Sequence, residues 1–90
     1  MENVIVELIV AANLTGAALM QDVKTELPLL NVDENYKPIE MVPGEQDAAK
    51  VPQSAKVIVI RGAVNESDMA KLKQLDNVLH VWTDGKAEAF

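Results

Sequence analysis

The sequence predicts one α+β domain: a four-stranded antiparallel sheet, in the order βαββαβ, with two helices on one face. Three observations lead there. Two runs rich in β-branched residues, Val4-Ile5-Val6-Glu7-Leu8-Ile9-Val10 and Lys56-Val57-Ile58-Val59-Ile60-Arg61, read as strands. Each is followed by capping residues and by apolar positions at helical spacing. Ninety residues leave room for one hydrophobic core and no second.

The elements follow in order. After the first strand, Asn13 or Thr15 can cap a helix whose apolar side carries Ala18, Leu19, Val23 and Leu27; Pro28 stops it. Residues 29–42 form a weaker strand containing Asn31, Asn35 and Pro38. Proline cannot donate to a ladder, which assigns this strand to a sheet edge. Residues 43–54 are small and polar, with Gly44 and Pro52, and read as a loop, long for a hairpin connection. After the strand at 56–61, Asn65 or Ser67 can cap a short helix with Met69, Leu72 and Leu75 along one side. Asp68 in its first turn suits the helix dipole. Asp76-Asn77 marks a turn, and 78–81 form a last short strand. The domain spans residues 1–84, and 85–90 form an extended tail. Two split βαβ units with right-handed crossovers give the ferredoxin-like arrangement, with the first and third strands central and the second and fourth at the edges.

Helices on one face leave the other face open. A sheet with one solvated face normally alternates apolar and polar residues, and these central strands do not. With Val4, Val6 and Leu8 toward the helices, Ile5 and Ile9 lie on the open side. The run 57–60 puts two branched aliphatics on each face, and Ile58 and Ile60 are assigned to the open side with Ile5 and Ile9. Such a patch marks an interaction surface, unless the loop 43–54 covers it.

Composition excludes several function classes. Eight Lys and Arg against fourteen Asp and Glu give a net charge of -6, which argues against a nucleic-acid partner. The acidic surplus, including Asp33, Glu34, Glu45 and Asp47, reads as a solvated surface. There is no cysteine, which removes thiolate catalysis and Cys-based zinc sites. The one histidine, His80, rules out a site built from two. No apolar run reaches the roughly 20 residues a membrane span needs, and the amino-terminal stretch lacks the positive start of a signal peptide. No nucleophile–base pair, metal cluster or phosphate loop stands out. The expectation is a non-enzyme with no metal and no cofactor.

The run Leu72-Lys73-Gln74-Leu75-Asp76-Asn77-Val78-Leu79-His80-Val81-Trp82-Thr83-Asp84 resembles the end of a subtilisin propeptide. There a helix ending in leucine is followed by an Asp-containing turn, then Val, two residues, Val, and an acidic close. Leu72, Val78, Val81 and Asp84 stand at the matching positions, and the tail Gly85-Lys86-Ala87-Glu88-Ala89-Phe90 has the matching length. The family joins its second and third strands more compactly than this chain does across 43–54.

The resemblance implies a propeptide-like inhibitor of subtilisin-type serine proteases, or an excised prodomain that acts as a folding chaperone. On that reading the tail enters the protease cleft as a product-like strand, a form of β-augmentation. Phe90 fills the apolar primary pocket, Ala89 fits a tight site beside it, Glu88 faces solvent and Ala87 takes a second pocket. Trp82, Asp84, Ile5, Ile9, Ile58 and Ile60 contact the protease surface, with Asp84 at the N-terminus of a protease helix. The alternative is a small regulatory or assembly domain that self-associates weakly through its open face.

Overall fold

The computed structural model describes residues 1–83. β1 (Glu2–Ala11) leads into α1 (Gly16–Glu26), and two short strands follow, β2 (Asn31–Val32) and β3 (Ile39–Met41). A one-turn helix, α2 (Glu45–Ala48), precedes β4 (Ala55–Val64). A 3-10 turn (Glu66–Asp68) runs into α3 (Met69–Lys73), and β5 (Val78–Thr83) is the last element described.

All strand pairs are antiparallel. β1 and β4 pair along ten residues, from Glu2 opposite Val64 to Ala11 opposite Ala55. β5 lies on the other side of β1, with Ile5 opposite Trp82 and Glu7 opposite His80. β2 and β3 share the outer edge of β4: Asn31 opposite Ala63, and Ile39 to Met41 opposite Val59 to Val57. The fold is a mixed α+β sheet of five antiparallel strands with two helices packed on it, compatible with a ferredoxin-like arrangement. The two apolar runs take the centre, as the sequence predicts.

The expected edge strand 29–42 is in fact two strands separated by a turn. The turn is written in the local chemistry. The Asp33 carboxylate accepts from the Asn35 N–H at 3.0 Å, and the Asp33 carbonyl accepts from the Tyr36 N–H at 3.3 Å. An Asx turn of this kind competes with the ladder, and Pro38 has no N–H to rejoin it. Pairing resumes at Ile39. Residues 43–54 also differ from a plain loop, because α2 sits inside them. Glu45 and Asp47 in its first turn suit the dipole, yet four residues do not sustain a helix without tertiary contacts.

The core lies between the helices and one sheet face. Leu19, Val23 and Leu27 join Leu72 against Val4, Val6, Leu8, Val10, Ile58, Ile60 and Val64. Complete burial of a side chain such as Leu8 stabilises by about 1.5–3 kcal/mol. The register corrects one expectation. Ile58 stands opposite Leu8 and Ile60 opposite Val6, so both face the helices and are buried in the core. The open-face residues of β4 are Val57, Val59, Arg61 and Ala63, opposite Ile9, Glu7, Ile5 and Asn3. In a strand apolar at every position from 57 to 60, composition does not distinguish the two faces; pairing with β1 does.

Two glycines and one lysine fix the periphery. Gly16 opens α1 at φ +55°, a left-handed conformation that side chains disfavour. Gly62 lets β2 approach β4: a Cβ there would lie 2.6 Å from the Asn31 carbonyl oxygen and 3.0 Å from the Leu30 side chain. The Lys56 ammonium donates to the Leu14 carbonyl at 2.7 Å and to Glu40 at 3.0 Å, tying the β1–α1 turn to β3.

Gly62→Ala is predicted to push β2 off β4 and cost about 1–3 kcal/mol, as overpacking does. Gly44→Ala, where a Cβ meets nothing within 4 Å, is predicted to change stability by no more than about 0.5 kcal/mol. Urea unfolding of the two variants beside the parent checks both.

Candidate functional site

The open sheet face gathers residues that the core does not need. Strand alternation brings Ile5, Glu7 and Ile9 of β1 to this face, with Val57 and Val59 of β4, Ile39 and Met41 of β3, and His80 and Trp82 of β5. Exposure divides it unevenly. Ile39 is 66% exposed and Trp82 47%, whereas Val57 is 1% and Glu7 5%.

The segment 43–54 makes the difference. It leaves β3 beside β4 and returns to β4 at Ala55, yet midway it bonds to the opposite edge of the sheet. The Asp47 carboxylate meets His80 Nε2 at 2.8 Å. To reach β5 from β3, the chain crosses β4 and β1, and it crosses on the side toward which Glu7 points. It passes beside Glu7, and Val57, opposite Met41 where the segment leaves β3, is buried. Ile5 and Ile9 are half-buried, and the rim that carries Ile39 and Trp82 stays accessible.

The crossing point has its own electrostatics. The hydrogen bond from His80 holds the Asp47 carboxyl below its ordinary value of 3.8, with the charges of His80 and Lys50 acting the same way and burial opposing them. Lys50 Nζ lies 3.6 Å from the other Asp47 oxygen. His80 also stacks on Trp82, ring centroids 5.6 Å apart and planes 28° apart, so one edge strand holds both the latch and the exposed indole. One carboxylate oxygen of Glu7, one of Asp47 and a ring nitrogen of His80 all lie within 4.8 Å of one another, a spacing at which the three could hold a cation. At the opposite edge the Arg61 guanidinium lies over the Tyr36 ring, 4.6 Å from its centroid, which holds the β2–β3 turn against the sheet.

The structure brings Ile5 and Ile9 to the open face, as the sequence predicts, places Trp82 on the same face, and moves Ile58 and Ile60 to the core. Asp84 and the tail residues Ala87, Glu88, Ala89 and Phe90 lie outside the described residues. Sequence reasoning missed the association of Glu7, Asp47 and His80. A signal was available for Glu7 alone, the one carboxylate within the apolar run 4–10. Asp47 comes from a segment 40 positions away, and no local spacing marks its arrival.

The latch has a pH signature. Asp47 has a depressed folded-state pKa, so its contribution to stability is present above the unfolded value and is lost as pH falls through the folded one. The parent is therefore predicted to be more stable than Asp47→Asn at about pH 7, with the advantage gone near pH 2. Denaturant midpoints of the two proteins at both pH values check this; an equal gap at both would contradict it.

Comparison with protein-family models, with curated proteins and with solved structures finds no significant match to this chain.

Proposed function

We propose that this domain is a propeptide-like inhibitor of subtilisin-type serine proteases, docking by its open sheet face and the strand that leads to its tail. The observation that carries the reading is the form of β5. β5 pairs with β1 along one edge, and among the described residues no strand pairs with its other edge. Its last residues, Trp82 and Thr83, are exposed, and the chain runs from them directly into 84–90. An exposed indole on a free edge strand is a surface that partners use: tryptophan is enriched among interface anchors, and a free edge invites an added strand.

The likeness of 72–84 to a subtilisin propeptide supplies the partner class, and the ferredoxin-like sheet agrees with it. In this reading Ile5, Ile39 and Trp82 pack on the protease beside the region that 43–54 covers. Residues 87–90 lie along the substrate cleft, with Phe90 in the primary pocket. Burying one phenylalanine contributes about 1.5–3 kcal/mol, so the tail alone binds weakly and the sheet contact supplies the remainder. Inhibition comes from occupancy. The protease provides the nucleophile and oxyanion hole, and this chain provides no reacting group.

Titrating subtilisin with the chain is predicted to give competitive inhibition. Ending the chain at Ala89 is predicted to weaken it about tenfold or more, and Trp82→Ala also weakens it. No inhibition, or inhibition indifferent to both changes, contradicts the reading. Concentration-dependent light scattering from the uninhibiting chain would instead identify a self-associating domain.

A further inference from the structure

Glu7 is an anomaly of the open face. It sits at the middle of β1, 5% exposed, between Val59 on one side and His80 on the other. Among the described residues its carboxylate takes part in no hydrogen bond or ion pair, and since no fully buried side-chain oxygen there lacks a partner, it is solvent that its oxygens reach. Its oxygen is aimed at the pair that latches 43–54 across the sheet, within 4.8 Å of both the Asp47 oxygen and the His80 nitrogen. A single cation of matching size satisfies all three groups.

We propose that Glu7, Asp47 and His80 form a zinc-binding site at which one metal ion joins β1, β5 and the crossing segment. The donor set selects the ion. One imidazole nitrogen and two carboxylate oxygens suit a borderline divalent metal, whereas Mg2+ and Ca2+ take oxygen ligands. Zinc holds such donors at about 2.0–2.2 Å, which places tetrahedral ligand atoms about 3.4 Å apart. The 2.8 Å contact between Asp47 and His80 opens by a fraction of an ångström, and Glu7 closes in. The fourth position is left for water. The ion replaces the proton between Nε2 and Asp47; that proton moves to Nδ1 or to solvent, so binding weakens as pH falls. Two carboxylates on a chain of net charge -6 favour the cation, and Lys50, 3.6 Å from Asp47, opposes it and swings out on its exposed stem.

The site does not depend on the proposed inhibition. It locks the same crossing segment, so a bound ion stabilises the fold by linkage. The test uses the full chain and zinc chloride, with magnesium and calcium chlorides as controls. Calorimetry is expected to give saturable one-to-one zinc binding, with a Tm rise of about 4 °C or more and no response to the controls. Glu7→Gln, Asp47→Asn and His80→Gln are each expected to weaken binding at least about tenfold. Circular dichroism identifies any variant that fails to fold. The 15N resonances of the His80 ring in the parent give a readout that needs no substitution, with Nε2 shifting on zinc addition. No zinc binding, an unmoved His80 ring, binding unchanged in folded variants, or an equal response to magnesium or calcium would each overturn the proposal.

Discussion

The two central strands carry branched aliphatic side chains on both faces, while the helices cover only one. Val4, Val6, Leu8, Ile58 and Ile60 disappear under α1 and α3. Their alternates, Ile5, Ile9, Val57 and Val59, would form a bare aliphatic face if nothing crossed it. Much of the rest of the architecture answers that constraint. The connection from β3 to β4 is far longer than a hairpin needs because it also covers part of the sheet. α2 places Asp47 over β5, and the Asp47–His80 hydrogen bond holds the cover down. The cover is partial, and what it leaves accessible is the rim with Ile39 and Trp82.

Partial cover gives the open face two kinds of chemistry. Beside the crossing segment Val57 and Glu7 are buried, and the half-buried Asp47 and the exposed His80 converge on Glu7 there. Beyond it, exposed apolar groups stand next to a free edge strand. The stacked His80 and Trp82 join the two regions, since one ring belongs to the latch and the other to the accessible rim. Any change that moves the crossing segment therefore alters the surface that a partner would meet. A shared edge strand makes that coupling short, running through two adjacent side chains of one face and no longer chain of contacts.

How much of this was legible in the sequence follows from the range of the forces involved. The central strands, both packed helices and the last strand came from local patterns: β-branched runs, apolar spacing and Pro28. The split of the edge strand is also local, because Asp33, Asn35 and Pro38 carry its cause within six residues, and reading 29–42 as continuous gave the proline too little weight. The faces of β4 were not legible. Four apolar residues in a row give no alternation, and only pairing with β1 assigns Ile58 and Ile60 to the core. The latch was the least legible feature, since it joins residues 33 positions apart through a segment whose composition says only that it is polar.

Residues 43–54 lie across the open face with Asp47 against His80. Nuclear Overhauser contacts in solution test that directly. The prediction is cross-peaks from the Asp47 β-protons to the His80 ring protons, together with His80–Trp82 ring contacts on the same face. A His80 ring that shows contacts to Trp82 but none to the segment 43–54 would mean that the open face is bare, and would contradict the account.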